Sequence, residues 1–294
     1  MDHWLNEWGT KPARRVAPFW WPPSLIVRQA ASALYVGALV RWRRLPEWFA
    51  SFGFKCLPGA AGAWGQGCIG FPAHPVLEIT AACNLRCIHC YTSGGGRADD
   101  ELTTEEVKRL LDQLAEVREF RMLAFTGGEP LVRDDLFELL AYSKALGFSN
   151  TIATNGMLID DDVACRLRDC GVVIGAVSLD SFDAATHDYV RDHPGAFEAA
   201  LRGIRALGGA GIPLHINVTA MEYNVDQLEQ LMALVDELNA AILIMYQLVP
   251  VGRGRGIEAA ALDLGANERL IRLLARAQRE TRAIMEPVAG PQYW

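Results

Sequence analysis

The chain has 294 residues, 51% of them hydrophobic and 21% charged, which excludes wholesale disorder and suits one large domain with a smaller addition. Its net charge of −7 excludes a nucleic-acid binder as a whole. Ordinary Gly and Pro contents exclude collagen-like and low-complexity classes.

Charge and aromatics are unevenly placed. Residues 1–64 hold eight Lys/Arg against three Asp/Glu, and seven of the eight Trp. We therefore divide the chain into an N-terminal basic, Trp-rich, mostly helical extension and linker (1–72) and an enzyme core (73–294). Within the extension, residues 24–40 are mostly apolar with Arg28 as their single charge, follow Pro22 and Pro23, and precede Arg41, Arg43 and Arg44. Such a helix either packs on the core or lies at a membrane surface with Trp20, Trp21, Trp42 and Trp48 as interfacial anchors. It is at the short limit for a span. The start of the chain lacks the basic stretch and apolar run of a signal peptide, and a cytoplasmic location, peripheral to the membrane if the extension docks there, is expected.

From residue 75 the pattern becomes regular. Strands are predicted near 75–80, 121–126, 149–154, 172–179, 212–219 and 241–248. Helices are predicted near 103–119, 134–146, 160–170, 195–209, 225–239 and 266–285. Thr103 and Thr104 before Glu105 and Glu106 form a near capping box, and Gly147 and Gly171 sit where helices should stop. Six strand–helix units imply a parallel sheet clad by helices, either doubly wound or a partial barrel. In both, chemistry gathers at the C-terminal strand ends.

Two motifs fall at such ends. Cys83-Asn84-Leu85-Arg86-Cys87-Ile88-His89-Cys90 follows the first predicted strand. Three thiolates on one tight loop suit three irons of a [4Fe-4S] cluster and leave the fourth iron open. The competing reading is structural zinc, with His89 completing a Cys3His set. Thr126-Gly127-Gly128-Glu129-Pro130 ends the second strand. Its glycines allow close backbone approach, and its carboxylate can hold an ammonium group.

Together these motifs closely resemble those of the radical S-adenosylmethionine (SAM) superfamily. The resemblance spans about residues 74–286 and implies a partial (βα)6 TIM-like barrel. It further implies a [4Fe-4S] cluster on Cys83, Cys87 and Cys90, with SAM chelating the open iron. One electron from the reduced cluster cleaves SAM to a 5′-deoxyadenosyl radical, which takes hydrogen from the substrate. Gly127, Gly128 and Glu129 match the family's SAM-amine motif. Asn155, Ser178, Asp180 and Arg191, at or after later strand ends, are expected around the ribose and methionine carboxylate, with Asn217 near the adenine. A flavodoxin- or ferredoxin-type electron donor is implied.

The run Leu248-Val249-Pro250-Val251-Gly252-Arg253-Gly254 resembles the branch that modifies haem and haem d1 precursors, so an iron tetrapyrrole is the expected substrate, with Arg253 and Arg255 pairing its propionates. A peptide substrate, as in radical SAM maturases, is the alternative. A degenerate scaffold subunit is the non-enzymatic one. The given sequence departs from that branch in having no Cys after Cys170, so the branch's cysteine-rich auxiliary-cluster extension is missing from it: either the chain is truncated at Trp294 or the enzyme is expected to work with one cluster. Cys165 and Cys170 are expected to be core thiols, and Cys56 and Cys68 fall in the linker. His187 and His193 are expected in a solvated polar loop.

Overall fold

The computed structural model describes residues 75–117, 122–277, 280–281 and 283–288. The expectations for residues 1–72, including Cys56, Cys68 and the surface helix, lie outside these residues.

Seven parallel strands form one sheet in the order β1-β2-β3-β4-β5-β6-β7. They are β1 Val76–Glu78, β2 Met122–Thr126, β3 Ser149–Thr154, β4 Val172–Ser178, β5 Leu214–Ala220, β6 Ile242–Gln247 and β7 Ile284–Val288. Parallel neighbours need a crossover. These are supplied by α1 Thr104–Glu116, α2 Leu136–Ala145, α3 Asp161–Asp169, α4 Ala184–Arg191 and α5 Ala196–Gly209, α6 Leu228–Glu237, and α7 Leu264–Ala277. Each strand lies beside its sequence neighbour, with no reversal of order. That is one-way winding, as in a partial barrel, and it excludes the doubly wound alternative.

Local signals in the sequence account for most element boundaries. Thr103 caps α1 in a full capping box: its hydroxyl accepts from the Glu106 amide at 3.3 Å, and the Glu106 carboxylate accepts from the Thr103 amide at 2.9 Å. Gly147 and Gly171 follow α2 and α3 with φ of 95° and 83°, a region open chiefly to glycine. The main core lies between sheet and helices. Leu123, Phe125, Ile152, Ile216, Val218 and Leu243 on the strands pack with Leu111, Leu139, Leu167, Ile204, Leu207 and Leu231 on the helices.

Two elements depart from expectation. The segment expected as a solvated loop is α4, capped by Asp183, whose carboxylate accepts from the Thr186 amide at 2.8 Å. His187 on it is buried, not solvated, because α4 packs against α5 and the His187 Nδ1 accepts from the Asp180 amide at 3.1 Å. The predicted last helix ends at Ala277, and β7 follows it. Pro287 lacks an amide donor, which an edge strand tolerates. Cys165 and Cys170 are half-buried rather than fully internal, and the Cys170 thiol donates to the Phe137 carbonyl at 3.6 Å. Among the described residues no helix is long and apolar enough to cross a membrane.

Strand alternation decides what faces the barrel interior. Ile216, Val218, Leu243, Met245 and Met285 belong to the outer core, so Asn217, Ile244, Tyr246 and Glu286 face inward. Ser178, Asn217, Ile244 and Glu286 are in register across β4 to β7 and form one inner row.

Candidate active site

The chain leaves β1 into a loop carrying all three cysteines of the triplet. Its base is closed by backbone bonds from Cys83 to Gly95 and from Gly95 to Ala81, both 2.9 Å. Asn84 in the loop accepts from the Asn155 side chain at 2.7 Å, which ties the loop to the end of β3. Beneath it, Thr80 donates to Glu101 at 2.7 Å. Buried Arg133 donates to the Leu102 carbonyl at 2.9 Å and pairs with Asp135 at 2.6 Å.

The three thiols are unpaired, Cys87 buried and the other two half-buried. Burial pushes the Cys83 thiol up. Burial also opposes ionisation of Cys90, but hydrogen bonds from Thr92 and Gly94 and the Arg253 cation outweigh it and lower its pKa. Among the described residues no three His, Cys, Asp or Glu groups gather as they would around a single metal ion. A cubane takes one thiolate per iron, so its three thiols need not meet at a point.

Gly127 and Gly128 let the end of β2 lie directly on the start of this loop. The Gly128 amide donates to the Thr80 carbonyl at 2.7 Å, and the Glu129 amide to the Ala82 carbonyl at 2.8 Å. Gly127 has φ 144°, and a Cβ there would lie 2.3 Å from the Thr80 carbonyl oxygen. Glu129 is fully buried. Its Oε1 accepts from the Thr154 hydroxyl at 2.8 Å and the Leu131 amide at 3.2 Å, and its Oε2 from the Asn155 amide at 2.8 Å. Burial raises its pKa against these three bonds. A carboxylate offers about four lone-pair directions, so one remains for a ligand.

At the end of β4 the Asp180 carboxylate is buried, pairs with Arg191 at 2.7 Å and accepts from the Thr219 amide at 3.0 Å. Arg191 also reaches the Cys87 sulfur at 3.6 Å. Burial opposes charge on both partners, and their mutual attraction outweighs it: Asp180 is lowered and Arg191 raised. Among the described residues the Arg191 Nε, the His89 Nδ1, the Asn217 Oδ1 and the His215 Nε2 are buried without hydrogen-bond partners. Such groups cost about 1–3 kcal/mol each when left unsatisfied, so the first three could be satisfied by a polar ligand at these strand ends. Ser178 is half-buried on β4, in register with Asn217.

The structure thus brings Cys83, Cys87, Cys90, Gly127, Gly128, Glu129, Asn155, Asp180 and Arg191 into one connected network. Arg253 joins it through the cysteine loop, where its guanidinium donates to the Cys87 and Gly94 carbonyls. Arg255, two residues on, is exposed. Sequence reasoning gave Asn84, Tyr246 and Glu286 no role in the site, and Glu286 required knowing that β7 is a strand. Thr154, with Asn155 and Gly156, was expected near SAM as the polar end of the third strand, and it donates to Glu129.

Buried histidines give the chain a pH dependence. Burial, with Arg191 adding to it, holds His187 down at about 4, and burial alone does the same to His215. Unfolded histidine titrates near 6.5. The unfolded chain therefore binds these protons first as pH falls. The stability from the neutral rings is present above about 6.5 and is lost towards about 4, at up to roughly 1.4 kcal/mol per pH unit for each ring. The melting temperature should fall across that window. A flat profile would show that the rings are not held neutral.

A parallel partial barrel with a metal-binding-type loop at β1 and a buried carboxylate at β2 defines a cofactor-dependent α/β enzyme. Residues 77–235 match the radical SAM superfamily, and the chain belongs to that superfamily of enzymes, which use a [4Fe-4S] cluster and SAM. It is 36% identical over 218 residues to the AdoMet-dependent heme synthase of Methanosarcina barkeri, covering 74% of this chain and 62% of that protein. It is 38% identical over 181 residues to the mycofactocin maturase MftC of Mycolicibacterium smegmatis, covering 61% and 45%. The chain thus spans less than two thirds of the length of these relatives. Among solved structures, Streptococcus suis SuiB bound to its precursor peptide SuiA has a TM-score of 0.64 at 20% identity, covering 74% of this chain and 49% of that one. Methylornithine synthase (PylB) has a TM-score of 0.60 at 16% identity, covering 85% and 78%. At these identities the structural likeness speaks for the fold alone.

Proposed function

We propose that the protein reductively cleaves SAM and abstracts hydrogen from an iron tetrapyrrole side chain, as in haem-type biosynthesis. The observation that carries the substrate class is the likeness to AdoMet-dependent heme synthases, at 33–36% identity over about three quarters of the chain.

In this reading Cys83, Cys87 and Cys90 hold the cluster. The donor set fits: three unpaired thiols share one loop, beside a buried arginine. The cluster and SAM supply one-electron cleavage and a hydrogen-abstracting radical. The chain's own residues position and shield. The free lone pair of Glu129 takes the SAM ammonium group, and the glycines before it let backbone close on the ligand. The unpartnered Nε of Arg191 takes the methionine carboxylate. Ser178, Asn155, Asn217 and the Asp180–Arg191 pair line the nucleoside side, with His89 satisfied by the same ligand. Substrate then faces the inner wall of β5 to β7, where Tyr246 and Glu286 lie. Arg255 meets a propionate at its rim. Electrons come from a flavodoxin- or ferredoxin-type donor.

Glu129→Ala is expected to weaken SAM binding at least tenfold, or about 1.4 kcal/mol, while iron content stays near that of the unaltered protein. Equilibrium binding to the reconstituted protein measures it. Equal affinity would remove Glu129 from the SAM site.

The function is tested by anaerobic incubation with SAM, a reductant and iron porphyrins bearing propionates, following 5′-deoxyadenosine and product mass. Turnover dependent on the porphyrin supports the proposal. The second reading is a peptide-modifying maturase, favoured by the 38% identity to MftC. Turnover only with a precursor peptide would replace the first reading by this one.

A further inference from the structure

The segment after β6 was expected to offer Arg253 to substrate, but its geometry serves the cysteine loop instead. The Arg253 Nε donates to the Cys87 carbonyl and its Nη1 to the Gly94 carbonyl, both at 2.8 Å. Its backbone amide donates to the Cys90 carbonyl at 3.0 Å. The preceding glycine permits this approach. A Cβ on Gly252, whose φ is 55°, would lie 2.3 Å from the Tyr91 carbonyl oxygen and 2.6 Å from that of Cys90. The loop is thus closed at its base by Ala81, Cys83 and Gly95, and across its middle by one side chain from the other end of the sheet.

The charge on that side chain is also distinctive. Arg191 touches the Cys87 sulfur but is neutralised by Asp180. Arg253 makes no ion pair among the described residues, and its guanidinium lies on the cysteine loop itself, at the Cys87 and Gly94 carbonyls.

We propose that Arg253 is the positioning residue of the metal-binding loop, its fork fixing the Cys87 and Gly94 carbonyls and its uncompensated charge raising the reduction potential of the cluster. The proposal rests on the reading that Cys83, Cys87 and Cys90 hold that cluster. A fixed cation stabilises the reduced, more negative cluster, and cluster potentials follow local charge. A lysine retains charge but cannot bridge two carbonyls with a planar fork. The two contributions are therefore separable.

The test uses the full chain with reconstituted cluster, measuring the potential by EPR-monitored redox titration and the rate of iron loss to a chelator. In Arg253→Gln the reduced-to-oxidised ratio at a fixed potential should fall about tenfold, a shift of about 59 mV to the negative side for one electron. In Arg253→Lys the potential should stay near that of the unaltered protein while iron is lost at least tenfold faster. Gly252→Ala, which pushes the segment off the loop and leaves the arginine in place, should also shed iron faster. If Arg253→Gln takes up no cluster, the Lys and Ala variants decide. Iron retention in both like that of the unaltered protein overturns the positioning role, and an unchanged potential in Arg253→Gln overturns the electrostatic one. Cys87→Ala separates this from the underlying reading: a cluster retained there means the loop is not its site, whereas a cluster lost there with Arg253 variants unchanged defeats only the present inference.

Discussion

Replacing Cys83, Cys87 or Cys90 singly by Ala is expected to abolish reductive cleavage of SAM. The loss should exceed the roughly 100-fold that removal of a supporting outer partner produces, because a ligand to iron itself is gone. Cys87 offers the cleanest case. It is the buried member of the triplet, its carbonyl is held by Arg253 and its sulfur lies 3.6 Å from Arg191. The loop's base bonds do not involve the Cys87 side chain, so the variant should fold. Iron and sulfide content, the EPR spectrum of the reduced protein and 5′-deoxyadenosine yield check the result. Cleavage at the unaltered rate in any one variant would refute the assignment. Binding of one zinc in place of iron and sulfide by the anaerobically purified protein would restore the Cys3His alternative.

Gly128→Ala is the second large effect. Its added Cβ would lie 2.2 Å from the Ala82 carbonyl oxygen and 2.7 Å from that of Ala81. Both obstacles are backbone, so no rotamer change relieves them, and the chain leaving β1 must move away from β2. Overpacking of this kind costs about 1–3 kcal/mol. The functional cost is larger, because the displaced strand end carries Glu129 on one side and Cys83 on the other. A misplacement of about 1 Å at a reacting site can cost about 100-fold. We expect SAM cleavage to fall by about that factor while the melting temperature drops by only a few degrees. Gly209→Ala, where a Cβ would meet nothing within 4 Å, is the control and should leave both unchanged. A Gly128→Ala protein with normal cleavage would show that the two strand ends need not touch.

Both variants act where six strand–helix units place their C-terminal ends, and much of that arrangement is legible in the residues. The apolar runs of β2 to β6 are short, separated by helices with readable caps such as Thr103 and stops such as Gly147 and Gly171. The cysteine triplet and Gly127-Gly128-Glu129 each follow a strand directly, so the strand-end rule made them neighbours before any coordinates. Elements with weak apolar patterns were missed. Helix α4 has one aliphatic residue larger than Ala, Val190, so its Asp183 cap stood without a periodic apolar face, and packing on α5 completes it. Strand β7 contains Glu286 and Pro287, and only pairing with β6 makes it a strand.

The sequence by itself determined the alternation of β1 to β6 with their helices, the parallel sheet and the identity of the thiol loop, because periodicity, capping and ligand spacing are properties of neighbours along the chain, whereas the one-way winding needed the strand order. Tertiary structure alone decided which charges are spent. Asp180 faces Arg191 eleven positions on, Glu129 is bound by Thr154 and Asn155 from the next strand, and Arg253 crosses more than 160 positions to grip the Cys87 carbonyl. Such partnerships depend on desolvation and on distances between remote segments, which no residue carries in its own type.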